Sequence, residues 1–184
     1  MLFRSRVKNI VIFNSSEDEW AAIGDEWSNN VYGRQSLGIE QIVLDVGRLS
    51  PESMIYLRMH PNLKGVQNAD VDRIHRIRSP NFCLISPESE ISSYALMEAA
   101  DVVLTFGSTM GIEAAYWGKS SILAGPAEYE NLGSVHVMSS HEQVIDALLA
   151  IPAPLDNLGA IKYGYYRQTL GDDFRYWRAS GFID

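Results

Sequence analysis

The stretch Ala100-Asp-Val-Val-Leu-Thr-Phe-Gly-Ser-Thr-Met-Gly-Ile-Glu-Ala-Ala-Tyr-Trp-Gly-Lys119 decides the fold of this 184-residue chain. Its pattern predicts a buried strand over 101–106, a tight turn of glycine and hydroxyl residues, and a helix over 110–117 that ends at Gly118. The start of such a helix offers backbone N–H groups and the positive end of the helix dipole, and both suit an anion. The stretch therefore predicts a phosphate-binding strand–turn–helix unit.

Short apolar runs alternate with helical patterns along the rest of the chain. Runs with the length and composition of buried strands cover 9–13, 54–59, 82–85 and 121–124. Helices are expected over 35–49, 71–77, 92–100 and after the capping box that begins at Ser140. This alternation predicts an α/β fold with a Rossmann-like parallel sheet and helices on both faces. We expect one domain over 1–184, in which 151–184 form a C-terminal helical tail.

The composition excludes several classes of partner and site. A net charge of −8 argues against a nucleic-acid partner, because a nucleic-acid backbone requires a basic face. A single cysteine, Cys83, excludes an intramolecular disulfide and a cysteine metal cluster, and the four histidines lack metal-ligand spacing. Neither a membrane-spanning run nor a signal-peptide core stands out. We therefore expect a cytoplasmic protein that has no metal and no bound cofactor.

Small or polar residues follow the predicted strands. After the first, second and fourth strands these residues are Ser15, Ser16, His60, Ser108 and Thr109. In open α/β sheets a ligand binds beyond the carboxyl ends of the strands, so we expect these side chains to converge on one crevice. The alternative is that loops of α/β proteins are generally rich in such residues, whatever they bind.

The turn of the opening stretch carries five candidate ligand-binding residues. Gly107 allows the chain to turn sharply out of the strand, while Ser108 and Thr109 can cap the helix or bond a phosphate oxygen. Gly111 has no side chain and permits close approach by a ligand or by a neighbouring strand. Glu113 lies on the same helix face as Thr109, where its carboxylate can accept hydrogen bonds from ribose hydroxyls. In the purely structural alternative, the hydroxyls cap the helix and Glu113 interacts with its dipole.

Two basic side chains belong to the second predicted strand and its end. Arg58 and His60 share one side of the strand, because alternate residues of a strand point the same way. An arginine in a strand buried on both faces is costly unless it has a partner. We predict that both residues bind a phosphate. The alternative is an arginine in a structural ion pair and a histidine that only shapes the turn.

Three quoted segments together resemble a known family. They are Leu57-Arg-Met-His-Pro61, Ser92-Ser-Tyr-Ala-Leu-Met-Glu-Ala-Ala-Asp-Val-Val103 and Gly107-Ser-Thr-Met-Gly-Ile-Glu-Ala-Ala-Tyr-Trp-Gly-Lys119. The combination is similar to the C-terminal half of GT-B-fold glycosyltransferases of bacterial capsule and surface-polysaccharide biosynthesis. The relatives with an HP motif and a downstream Ser/Thr motif include sialyltransferases and Kdo transferases, and the teichoic-acid glycerophosphotransferases are more distant.

The resemblance implies a role for several residues and a nucleotide-sugar substrate. In those enzymes the histidine and the hydroxyls hold the nucleotide phosphate, a role that falls on His60, Ser108 and Thr109. Ser15 and Ser16 correspond to the loop that faces the cleft between the two domains. The expected substrate is a CMP-, CDP- or UDP-linked sugar, and the expected function is that of a donor-binding domain.

The resemblance also implies that a second half is needed. The saccharide acceptor and the acidic catalytic base belong to an N-terminal domain in these families, and nothing places the acidic pairs in 17–19 and 25–26 as that base. We therefore expect half an enzyme, inactive alone, whose membrane association would come only through a full-length parent. The alternatives are a nucleotide-sugar 2-epimerase, a CDP-glycerol glycerophosphotransferase domain, or a non-catalytic domain that packs through its aromatic tail. A homodimer stays open.

Overall fold

The computed structural model describes residues 7–16 and 29–170, whose centre is a six-stranded parallel sheet. The strands are β1 (Asn9–Phe13), β2 (Met54–Arg58), β3 (Phe82–Ile85), β4 (Val102–Thr105), β5 (Ser120–Leu123) and β6 (His136–Val137). Their order across the sheet is β3-β2-β1-β4-β5-β6. This is the order of the doubly wound Rossmann fold, in which the strand order reverses between β1 and β4. The predicted parallel α/β sheet is confirmed.

Helices cover both faces of the sheet. They are α1 (Gln35–Leu49), α2 (Ala69–Arg76), α3 (Ser93–Ala99), α4 (Met110–Tyr116), α5 (His141–Ala150) and α6 (Leu158–Thr169), with 3-10 turns at Pro61–Leu63 and Glu130–Leu132. Alternation along β1 sets the two layers: Ile10 and Ile12 pack against α1, α2 and α5, whereas Val11 and Phe13 pack against α3 and α4. A third cluster joins α4 to α6 through Ile112 and Ala160.

The predicted elements agree with the structure to within one or two residues. β1, β3 and α1 have the predicted bounds, whereas β4 is shorter than the predicted 101–106 by one residue at each end. Strand β6 was missed, because two residues are too short for any periodicity. The predicted tail contains α6, and 171–184 lie outside the described residues. No helix in the described part of the chain is long and apolar enough to cross a membrane.

The start of α5 differs from the predicted capping box in one contact. The hydroxyl of Ser140 accepts a hydrogen bond from the Gln143 N–H at 3.3 Å, as predicted. The Gln143 side chain, however, accepts from the backbone N–H of Ser139 at 2.9 Å rather than from Ser140. The helix start therefore has both kinds of bond that a capping box provides. The bond to the Gln143 side chain comes from Ser139, one residue earlier than the capping box predicts.

A hydrogen-bonded chain of three side chains joins α1, α5 and the turn before α1. The Tyr32 hydroxyl lies 2.9 Å from His141 Nδ1, and His141 Nε2 lies 2.9 Å from Asp45 Oδ2. The hydrogen bond with His141 is the main cause that holds the pKa of Asp45 below its ordinary value, and Arg48 adds to it. Burial raises the pKa of Tyr32, so the phenol stays a neutral partner.

Acid should weaken this chain of hydrogen bonds. Because the folded-state pKa of Asp45 is lowered, its contribution to stability is present above the unfolded pKa of about 3.9 and is lost as the pH falls through the folded-state value. The stability difference between the wild type and Asp45→Asn should therefore shrink as the pH falls through the folded-state pKa of Asp45. Denaturant unfolding from pH 7 to pH 2 measures it, with Asp146→Asn, an exposed carboxylate on α5, as control. A pH-independent difference would rule out this linkage.

Gly111 is required by packing between α4 and β4. A Cβ at this position would lie 2.5 Å from Thr105 Oγ1 and 2.6 Å from the Tyr129 hydroxyl, and both neighbours are buried. Of the two predicted explanations for this glycine, the close approach of a neighbouring strand is therefore the one that the structure supports.

Gly111→Ala should lower the free energy of unfolding by about 1–3 kcal/mol, because the methyl group would overpack the α4–β4 contact. Gly164→Ala is the matched control: Gly164 lies in α6 with no atom within 4 Å of its Cβ position. That control should raise stability by about 0.5–1 kcal/mol, as expected for alanine in a helix. Equal effects of the two substitutions in urea unfolding would contradict the packing explanation.

Candidate functional site

A cavity of about 200 Å³ opens at the carboxyl edge of the sheet. It is lined by Phe13, Asn14, Arg58, Met59, His60, Pro61, Ser93, Ser108, Thr109 and Met110. These residues lie at the carboxyl ends of β1 and β2 and at the starts of α3 and α4, so the cavity lies at the reversal of strand order where α/β folds bind ligands. Four predicted site residues meet there, namely Arg58, His60, Ser108 and Thr109.

Arg58 supplies the formal charge of this cavity. Its side chain is buried, with 7% of the residue exposed, and its two terminal nitrogens donate to the backbone carbonyls of Ser86 and Ser89, the latter at 3.1 Å. Its Nε is buried without a hydrogen-bond partner among the described residues. No carboxylate in the described ranges forms an ion pair with it. The predicted alternative, a structural ion pair, is therefore absent from 7–16 and 29–170.

His60 is held at the cavity through its backbone and its ring. Its backbone N–H donates to Asn14 Oδ1 at 2.8 Å, and its Nδ1 accepts from the Asn62 N–H at 3.2 Å. The second bond fixes Nδ1 as an acceptor and starts the 3-10 turn that contains Pro61. In a neutral ring the proton then belongs to Nε2, so this nitrogen is a donor.

The turn after β4 depends on Gly107 and Tyr129. Gly107 has a φ of 127°, which side chains other than hydrogen rarely tolerate. The hydroxyl of buried Tyr129 donates to the Ser108 carbonyl at 2.6 Å, and burial raises its pKa so that it remains protonated. Ser108 Oγ accepts weakly from the Met110 N–H at 3.4 Å, whereas Thr109 makes no side-chain cap. Thr109 is exposed and lines the cavity, and its side chain does not cap the helix.

The other predicted site residues lie outside this cavity. Gly111 is buried against β4, and Glu113 lies one turn into α4, where Oε2 accepts from the Tyr94 hydroxyl at 2.6 Å. Ser15 contributes to a second, smaller pocket of about 40 Å³, and its Oγ has no hydrogen-bond partner among the described residues. Ser16 is buried and lines neither pocket.

Sequence reasoning missed Asn14, which lines both pockets. Its side chain is buried and joins the end of β1 to His60, so it fixes the spacing of the two central loops. The sequence does carry a signal for Asn14, because it is the first polar residue after the apolar run 10–13. Tyr94 and Tyr129 were also missed, and no local pattern marks either of them. No group of three potential metal ligands occurs among His, Cys, Asp and Glu within the described ranges.

No protein-family model matches the chain, and no curated protein matches its sequence. Solved structures do match. A putative UDP-N-acetylglucosamine 2-epimerase from Listeria monocytogenes has a TM-score of 0.55 and 16% identity, and the match covers 92% of this chain and 48% of that one. The Neisseria meningitidis UDP-GlcNAc 2-epimerase, bound to UDP-GlcNAc, has a TM-score of 0.54 and 17% identity, with coverages of 89% and 39%.

A third match is KpsC, a beta-Kdo 2,7 transferase from Thermosulfurimonas dismutans, with a TM-score of 0.51 and 20% identity. It covers 77% of this chain and 42% of that one. This chain therefore spans less than half the length of each of these proteins. At such identities the likeness concerns the fold, and it confirms the predicted fold resemblance. The chain has the fold of one Rossmann-like half of a GT-B enzyme.

Proposed function

We propose that this chain is the donor-binding half of a glycosyltransferase of capsular or surface-polysaccharide biosynthesis, and that it binds a nucleotide sugar by its phosphate. The observation that carries the proposal is Arg58: a buried guanidinium, without a carboxylate partner in the described ranges, lines a cavity large enough for a phosphate group. A buried charge is costly to place, and in the described ranges two carbonyls are the hydrogen-bond partners of this guanidinium. An anionic ligand would compensate that charge.

The side chains around Arg58 suit a phosphate ester. Arg58, His60, Ser108 and Thr109 all line one cavity, and each of these residue types carries N–H or O–H donors. Charge-assisted hydrogen bonds of this kind are about twice as strong as neutral ones. They would also stabilise the negative charge that develops on the departing nucleotide, which is how such a site would promote transfer.

The fold of the solved relatives supports a nucleotide-sugar ligand in particular. One of them is a structure with bound UDP-GlcNAc, and another is described as a Kdo transferase. By analogy, the acceptor and the catalytic base would come from the other half of a GT-B enzyme. Binding is therefore assigned to this chain, and turnover is assigned to the two halves together.

Titration calorimetry with CMP, CDP and UDP tests the proposal. At least one nucleotide should bind the wild type, and Arg58→Met should weaken that binding roughly 10- to 100-fold, because a hydrogen bond to a charged group contributes about 1.5–3 kcal/mol. The matched control is Arg76→Met: Arg76 is an exposed arginine in α2, 3.7 Å from Asp72, and its replacement should leave binding unchanged.

A second variant protects the test against a folding defect of Arg58→Met. The exposed Thr109 makes no side-chain cap, so Thr109→Val should fold normally and still weaken nucleotide binding. If a folded wild-type sample bound none of the three nucleotides, the proposed function would be wrong.

A further inference from the structure

The hydroxyl of Tyr129 bonds the backbone of the turn after β4, residues 107–109. Tyr129 is 1% exposed, and its hydroxyl donates to the Ser108 carbonyl at 2.6 Å. It also lies 3.3 Å from Thr105 Oγ1. The phenol has one proton, which it gives to the carbonyl, so Thr105 is the donor in the second contact. Two buried partners therefore fix the direction of this hydroxyl, whereas a phenylalanine would fill the same space without either bond.

Helix α6 packs against Tyr129 and the residue before it. The rings of Tyr129 and Tyr163 meet edge to face, with centroids 5.7 Å apart and an angle of 74° between the ring planes. The Tyr163 hydroxyl donates to Glu128 Oε2 at 3.1 Å, and the Arg167 guanidinium lies 3.4 Å from the same oxygen. Burial raises the pKa of both tyrosines, so both phenols remain protonated. Helix α6 thus contacts two consecutive residues, and the second of them bonds the turn after β4.

The first turn of α6 is docked too closely to slide. A Cβ at Gly159 would clash with the Leu132 carbonyl oxygen. The Ser134 hydroxyl accepts a hydrogen bond from the Ala160 N–H at 3.2 Å. Tyr163 lies about one helical turn after Ala160, so it moves with this docked end. The docking of α6 therefore fixes the place of the Tyr163 ring.

The two tyrosines can affect the cavity only through the backbone. Neither Tyr129 nor Tyr163 lines the cavity, whereas Ser108 and Thr109 do. Gly107 gives the turn backbone freedom, and the bond to the Ser108 carbonyl restricts it. A turn that is ordered before a ligand arrives loses less conformational entropy when the ligand binds.

We propose that Tyr129 and Tyr163 are positioning residues that couple the docking of α6 to the affinity of the phosphate site. Tyr163 holds the ring of Tyr129, and Tyr129 holds the turn that contains Ser108 and Thr109. The inference rests on the proposed function, because the property that it changes is the affinity for a nucleotide. It gives α6 a second role: besides packing on α4, the helix orders a site whose lining it does not join.

The first measurement needs no ligand. Amide NMR spectra of the wild type are compared with those of Tyr163→Leu, which keeps an apolar side chain, and of the matched control Tyr165→Leu. Tyr165 lies in the same helix and is 70% exposed. Tyr163→Leu should shift the amide signals of Ser108 and Thr109, because the Tyr129 hydroxyl loses its fixed position, whereas the control should leave them in place. Unshifted Ser108 and Thr109 signals in Tyr163→Leu would overturn the inference, whatever the protein binds.

The second measurement is a double-mutant cycle, in which titration calorimetry gives the affinity for CMP, CDP and UDP. Tyr129→Phe should weaken nucleotide binding roughly 3- to 10-fold, the range expected for one neutral hydrogen bond. Tyr163→Leu should weaken it roughly threefold, and Tyr165→Leu should not change it. In the Tyr129→Phe background, Tyr163→Leu should have no further effect, because the hydroxyl through which it acts is then absent.

The cycle separates positioning from a purely structural role. A structural role would lower the stability of the variants in urea and leave the affinity of folded molecules unchanged, which would overturn the inference and leave the phosphate site intact. Fully additive effects of Tyr129→Phe and Tyr163→Leu would also overturn it, since the two residues would then act separately. If the folded wild type bound none of the three nucleotides, the proposed function and the claimed effect on affinity would both be wrong. The amide comparison would still decide whether α6 is coupled to the turn.

Discussion

The buried charge of Arg58 is the constraint on which the functional account depends. A guanidinium in this position must lose most of its hydration, and within the described ranges it regains only two carbonyl partners, those of Ser86 and Ser89. The two bonds have a structural consequence, since they hold the loop after β3 against the end of β2. Nε is buried without a hydrogen-bond partner among the described residues, and Arg58 lines the cavity. The arginine thus fixes a loop and leaves a positive charge for a ligand.

The order of the strands places this charge where a ligand can reach it. Reversal of the strand order at β1 separates the loops that follow β1 and β4, and the cavity opens between them and the end of β2. Asn14 sets the distance between the β1 and β2 ends, and the positive φ of Gly107 turns the chain into α4. The Tyr129 hydroxyl then fixes the turn by donating a hydrogen bond to the Ser108 carbonyl. Each of these contacts fixes the backbone of a loop that lines the cavity.

Most of the fold could be predicted from the sequence, because each central strand is a continuous apolar run and each helix has a capping or periodic signal. The bounds of β1, β3 and α1 follow from those local patterns alone. The convergence of Arg58, His60, Ser108 and Thr109 was predictable too, since parallel strands place their carboxyl ends at one edge. Strand β6 could not be predicted from the sequence, because a strand of two residues shows no periodicity.

The partners of these side chains could not be predicted. The carbonyls that hold Arg58 lie 28 and 31 residues away, and the tyrosine that requires a glycine at Gly111 is 18 residues downstream, so no spacing rule relates them. The Tyr94–Glu113 bond likewise joins two helices whose relative placement is a property of the packed sheet. The residue types at strand ends can therefore be predicted from local sequence, whereas the partners of these side chains depend on tertiary contacts.

The most direct measurement of the central claim follows the Arg58 Nε–H by NMR while a nucleotide is added. Arginine Nε–H signals are observable when the side chain is buried and protected from exchange, and Arg58→Lys identifies the signal by its loss. The account predicts that this resonance moves markedly and saturably, because a phosphate bound beside the guanidinium changes the electrostatic environment of its N–H groups. A nucleotide that binds, as judged by backbone amide shifts, and leaves the Arg58 Nε–H resonance unchanged would contradict the account.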